Sequence, residues 1–130
     1  MNKPKHVVLV VEDVAETRDG IERLLKSDGY QVEVARDEAD AILSARRSPP
    51  DLILVSLAGP PIEVIAVAGR IRARSGTSQE VPLVIFCILE AHEGGEVAIG
   101  KNVHITHPDN FNQLRGLLSR LLNEVAHVSL

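Results

Sequence analysis

The stretch Asp51–Pro61, DLILVSLAGPP, decides the fold. Leu52 to Val55 are four apolar residues in a row, and Ser56 follows before a turn built on Gly59, Pro60 and Pro61. A strand with one face in water alternates apolar and polar side chains. An unbroken apolar run bounded by turn residues belongs instead to a strand covered on both faces, as in a parallel sheet. Ser56 then stands at the carboxyl end of that strand, and its hydroxyl is delivered to the edge of the sheet.

Four further apolar runs repeat the theme: VVLVV (7–11), VEVA (32–35), LVIFCI (83–88) and VHIT (103–106). Between them lie segments with helical spacing. Val14, Ile21, Leu24 and Leu25 share one face, ended by SDGY, where Gly29 suits a helix C-terminus. Ala41, Ile42 and Ala45 continue the pattern until SPP stops it, and Ile62 to Arg74 makes a third helix closed by RSGTSQE. The last helix is the clearest, with Phe111, Leu114, Leu117, Leu118, Leu121, Leu122 and Val125 at steps of three and four, and Asp109 or Asn110 as its cap. The weak one is the fourth, EAHEGGEVAIG (90–100). Its Gly94 and Gly95 each cost a helix interior about 1 kcal/mol relative to Ala, so a short, irregular or mobile helix is expected there.

Strand and helix alternate five times, which predicts an α/β sandwich, a (βα)5 doubly wound parallel sheet with helices on both faces. Right-handed crossovers leave few topologies. The chain of 130 residues suits one domain, with a core over about 5–125 and no room in this chain for an output domain. Aromatic residues make up only 2%, so the core must be built from Val, Ile, Leu and Ala. A net charge of −4 gives no reason to expect nucleic acid, which demands a basic patch, and the RIRAR run (70–74) reads as the exposed face of the third helix. Cys87 is alone, so no internal disulfide forms and a reducing cytoplasm is the simplest home. No apolar run approaches the roughly 18 residues of a membrane span, and VVLVV is too short for a signal peptide.

In a doubly wound sheet, chemistry gathers beyond the carboxyl ends of the strands. There the sequence delivers Glu12 and Asp13 from the first strand, Ser56 from the third, Cys87 from the fourth, and His107 just past the fifth. On the motifs VLVVEDV (8–14), PDLILVSLAGP (50–60), VPLVIF (81–86) and HITHP (104–108), the chain resembles the receiver domain of two-component response regulators over essentially its whole length. The resemblance implies a flavodoxin-like strand order 2-1-3-4-5. It also implies an acidic pair that, with an Asp on the third strand, holds Mg²⁺, and it makes that Asp the acceptor of a phosphoryl group from a partner histidine kinase.

Carried over residue by residue, only Glu12 and Asp13 keep the family's chemistry. Ser56 stands at the phosphoacceptor, Cys87 at the Thr or Ser of the fourth strand, His107 at the Lys and His104 at the aromatic of the fifth, and Gly59 replaces the Met before Pro60. A carboxylate attacks a phosphoramidate directly, whereas a serine hydroxyl needs a base. Losing the Asp also removes an oxygen ligand and a negative charge from the cation site, so Glu12 and Asp13 are left as a weak Mg²⁺ set and no cofactor is certain.

The expected function is a receiver-like domain of a two-component phosphorelay with a degenerate phosphoacceptor site. It would be no enzyme, but a cytoplasmic module for protein partners, a histidine kinase or a downstream regulator. The resemblance implies a working face of fourth helix, fifth strand and fifth helix, which would also serve a homodimer. Alternatives are a receiver phosphorylated at another residue or switched by a non-phosphoryl ligand. Three more readings attach to the same residues. Ser56, His107 and Asp13 would make a hydrolase, although no Gly-x-Ser-x-Gly elbow is present. Cys87, His104 and His107 would suit a transition metal, although alternation along a strand turns the two histidines to opposite faces. Glu12 and Asp13 would also serve simply to cap the first helix. His6, His92 and His127 read as solvated surface residues.

Overall fold

In a computed structural model the chain is described over residues 5–86, 96–98, 102–106 and 111–128. The elements run β1 (Val7–Glu12), α1 (Ala15–Ser27), β2 (Gln31–Ala35), α2 (Glu38–Arg47), β3 (Leu52–Ser56), α3 (Pro61–Arg74), β4 (Leu83–Phe86), β5 (Glu96–Ala98), β6 (Val103–Thr106) and α4 (Phe111–Val128). They form one sheet in the order β2-β1-β3-β4-β6-β5. The five parallel strands β2, β1, β3, β4 and β6 follow the expected order.

The sixth strand corrects the reading of residues 90–100. Of that stretch, the described residues Glu96–Ala98 are a strand antiparallel to β6, with Glu96 opposite Thr106 and Ala98 opposite His104. Val97 is β-branched and follows the paired glycines, so the segment is a poor helix former and lies along the sheet edge.

Alternation along each strand divides the core. Leu9, Val11, Ile53, Val55, Leu83, Ile85 and Ile105 pack with Ala41, Ala45, Val64, Ala68 and Ile71 of α2 and α3. Val8, Val10, Leu52, Leu54 and Val84 face Ile21, Leu25, Leu114, Leu117, Leu118, Leu121 and Leu122 of α1 and α4. Leu52 to Val55 are all fully buried, which is why the run is apolar at consecutive positions. Aliphatic burial on both faces is the main stabilising term, about 25 cal/mol per Å² of apolar surface removed from water.

The helix ends follow local chemistry. Asp37 caps α2 by accepting the Asp40 amide at 2.9 Å. Pro61 occupies the first turn of α3, where an amide hydrogen would have no partner. Gly29 takes φ +96° just past α1, as expected of a helix-terminating glycine. Val14 departs from the expected apolar face: it precedes α1 as its N-terminal boundary residue and is 53% exposed.

Charged side chains tie the outer layers together. Glu38 of α2 receives a two-pronged pair from Arg70, at 3.0 and 2.8 Å, and a longer one from Arg74 at 3.5 Å. Arg72 reaches the Val81 carbonyl. The RIRAR run thus serves intramolecular contacts, with Ile71 buried between them. On the other face Arg115 of α4 makes a two-pronged pair with Asp28 beyond α1.

Candidate functional site

β1 and β3 lie side by side in a register that sets Glu12 against Ser56 at their carboxyl ends. Glu12 continues the parity of Val8 and Val10, and Ser56 that of Leu52 and Leu54, so both side chains belong to the α1 side of the sheet. There the Ser56 hydroxyl donates to Glu12 Oε1 at 2.8 Å. The second carboxylate oxygen accepts the Val14 amide at 3.0 Å, and the Glu12 carbonyl accepts Arg18 Nη1 at 3.0 Å. Glu12 therefore binds the backbone at Val14, the boundary residue ahead of α1, and α1 itself has no side-chain capping hydrogen bond.

Glu12 is 5% exposed, whereas its neighbour Asp13 is turned to solvent. Burial pushes the Glu12 carboxyl above its ordinary range. The Val14 and Ser56 hydrogen bonds pull it back in part, and the adjacent Asp13 carboxylate adds to the rise.

A cleft of about 450 Å³ opens over this pair, lined by Glu12, Asp13, Val14, Thr17, Ser56, Leu57, Ala58, Gly59, Pro61 and Phe86. Its floor is the strand ends and one wall is the β3–α3 loop. Gly59 turns that loop with φ +135°, a conformation an L side chain rarely adopts, although a Cβ there would meet nothing closer than 3.9 Å. The amides of Glu63 and Val64 then bond the Pro60 carbonyl and begin α3.

Of the residues singled out in the sequence, the structure brings Glu12, Asp13 and Ser56 to one cleft. His104 lies on β6, half-buried and opposite Val84, between Val103 and Ile105, which pack on the α2–α3 side. Cys87 and His107 lie outside the described residues, as do His92 and the side chain of His127, so neither the Ser56–His107 pairing nor a Cys87 and histidine metal site falls within them. His6 is half-exposed, 3.9 Å from the Asp51 carboxylate. The sequence reading missed Phe86, Leu57 and Arg18. The signal for Phe86 was its parity with Val84, which places it on the α1 side of β4.

As a magnesium site the donor set falls short. Two carboxylates are present, and both oxygens of Glu12 already accept hydrogen bonds. Among the described residues no group of three or more His, Cys, Asp or Glu side chains is placed to hold a metal ion. Magnesium prefers six oxygens in a strict geometry, so these residues do not fit it well. Among the described residues no helix is long and apolar enough to cross a membrane.

Comparison with known proteins fits this geometry. Residues 8–119 match the family model of the response regulator receiver domain. The chain is 33% identical to the transcriptional regulatory protein PrrA of Mycobacterium tuberculosis over 84 residues, 65% of this chain and 34% of that protein. It is 26% identical to the sensory transduction protein RegX3 of Mycolicibacterium smegmatis over 92% of this chain and 51% of that protein. The chain thus spans between a third and a half of these relatives. Among solved structures, the receiver domain of the sensor histidine kinase PA1611 from Pseudomonas aeruginosa, with magnesium coordinated in its active site cleft, superposes with a TM-score of 0.70 at 26% identity, covering 92% of this chain and 99% of that one. The chemotaxis protein CheY4 of Vibrio cholerae shares the fold, with a TM-score of 0.69 at 21% identity over 91% of this chain and 99% of that one.

Proposed function

Because the chain belongs to the response regulator receiver domain family, we propose that it is a receiver whose phosphoacceptor position is occupied by Ser56, and that it signals through protein contacts without aspartyl phosphorylation. The observation that carries this reading is the Ser56–Glu12 hydrogen bond of 2.8 Å. A hydroxyl hydrogen-bonded to a buried carboxylate takes the place of the free carboxylate needed to attack a phosphohistidine. No aspartyl phosphate forms at this position.

In the same reading Cys87, His104 and His107 are further altered positions of the retired site, and the chain acts as a single domain in the cytoplasm. Receiver domains interact with histidine kinases and other proteins. The proposed partner-binding and dimerisation face is the one that includes β6 and α4, with β5 along its edge. In the same reading the domain is a signalling module and not an enzyme, with the Ser56 hydroxyl serving Glu12.

The test is intact mass after incubation with acetyl phosphate and Mg²⁺, beside a Ser56→Asp variant. The native chain is expected to stay unmodified while the variant gains a phosphoryl group. A phosphoryl adduct on the native chain overturns the reading, and mapping it names the residue that took over.

A further inference from the structure

α1 carries Glu16, Asp19, Arg23 and Lys26 at outward positions, as a solvated helix does. α3 is built differently. Steps of about 100° per residue bring Ile62, Ala66, Gly69 and Ala73 to one side of it, and all four are exposed, Ile62 by 80%. This row lies opposite Val64, Ala68 and Ile71, which are buried against the sheet. Along one flank of the row stand Glu63, Arg70 and Arg74, at steps of seven and four residues. Glu63 is exposed in the first turn. Arg70 is held by Glu38 at 2.8 Å, whereas Arg74 meets Glu38 only at 3.5 Å and is 62% exposed.

We infer that this face of α3 pairs with the same face of a second copy of the chain, the two helices antiparallel about a two-fold axis. An isologous contact must match a surface to itself. An axis midway between Ala66 and Gly69 does so: it sets Ile62 of each copy over Ala73 of the other, and Ala66 over Gly69. The one bulky side chain meets the small end of the row, and the axes can approach to about 8 Å, the near end of the usual range. The same axis keeps the charged flanks together, so Glu63 of each copy falls between Arg70 and Arg74 of the other. That charge complementarity selects both the occupant and the antiparallel sense. In a parallel pair the charged flank would lie beside the opposite flank, which carries Ile65 and Arg72, and Arg74 would meet Arg72. A pair of 14-residue helices, about 21 Å long, lies at the low end of specific interfaces, below about 1,200 Å² in total. The dimer is therefore weak, with a Kd on the order of 100 µM. At micromolar concentration the chain is single, and its own stability does not sense Ile62. The face lies on the α2–α3 side of the sheet, apart from α4 and from the cleft at Ser56.

The test is sedimentation equilibrium of the full chain from about 10 µM to about 1 mM, a range that brackets the expected Kd. The average mass should rise toward twice that of the chain. Ala66→Arg, at an exposed position, should keep the native far-UV spectrum and stay monomeric throughout. Ser119→Arg, on the exposed side of α4, should associate as the native chain does. Glu63→Arg and Arg74→Glu should each weaken association about tenfold, because both ends of the contact become like-charged. An equimolar mixture of those two variants should recover it, since every charge then meets its opposite. A native chain that stays monomeric, an Ala66→Arg variant that still dimerises, loss of association in Ser119→Arg, or a mixture that does not recover would each overturn the inference. None of these outcomes bears on the mass experiment at Ser56.

Discussion

The hydroxyl of Ser56 and the buried carboxylate of Glu12 face each other across paired strand ends, 2.8 Å apart. Ser56 donates to one oxygen of that carboxylate, and the other receives a backbone amide. Ser56→Ala removes the donor and leaves a buried oxygen short of a partner. We expect a loss of about 1–3 kcal/mol, the range for an unsatisfied buried polar group, measured by urea unfolding. The Glu12 carboxyl should titrate higher still in the variant, read by carbon NMR, because the Ser56 bond now lowers it. An unchanged titration would mean that the hydroxyl does not hold the carboxylate in solution.

Glu12 also sets a pH dependence. Burial is the main cause that raises its pKa above the unfolded value of 4.5. The folded state therefore binds more protons than the unfolded one between those two values, and stability falls as pH rises through that window. Glu12→Gln removes this dependence. Its amide oxygen can still accept from Val14 and its amino group can donate to the Ser56 oxygen. The variant should be at least as stable as the native chain at pH 7 and lose the slope above pH 4.5, seen in melting curves across pH.

Glu38 titrates with the opposite sign. The paired Arg70, with Arg74 beyond it, holds its carboxyl below the usual 4.5. Its contribution is present above that value and disappears as pH falls through the lowered pKa. Glu38→Ala should lower the melting temperature at pH 7 and not at pH 2. The difference should shrink in 1 M salt, because both arginines are largely solvated.

Two apolar residues separate packing from surface. Leu118 is fully buried between α4 and the sheet, and Leu118→Ala should cost about 2–5 kcal/mol in urea unfolding. Ile62 is 80% exposed on the first turn of α3, so Ile62→Ser should leave stability within about 0.5 kcal/mol. A large loss at Ile62 would mean that it is covered in solution, by another molecule or by another part of the chain.

The parallel core was legible because burial on both faces writes itself as continuous apolar runs: residues 7–11, 52–56 and 83–86 need no partner information to be recognised. In the stretch 90–100 spacing alone does not separate a short edge strand from a frayed helix. Three residues, Glu96–Ala98, gain their strand geometry from pairing with β6, a tertiary effect that local propensity does not encode. At the site, the meeting of Glu12 with Ser56 followed from strand order, since both close adjacent parallel strands. That the hydroxyl points at the carboxylate, and that Arg18 and Phe86 join them, depends on rotamers and loop paths set by packing.

The division of labour along β1 and β3 has a consequence for how chemistry changes on this scaffold. Positions 8–11 and 52–55 are fully buried, and a polar substitution there would disturb both layers at once. One step further, Glu12 and Ser56 line the open cleft at the strand ends. Reactivity and architecture are thus inherited through different residues of the same strand. A side chain at the rim can change while the buried runs behind it keep each strand in its place in the sheet.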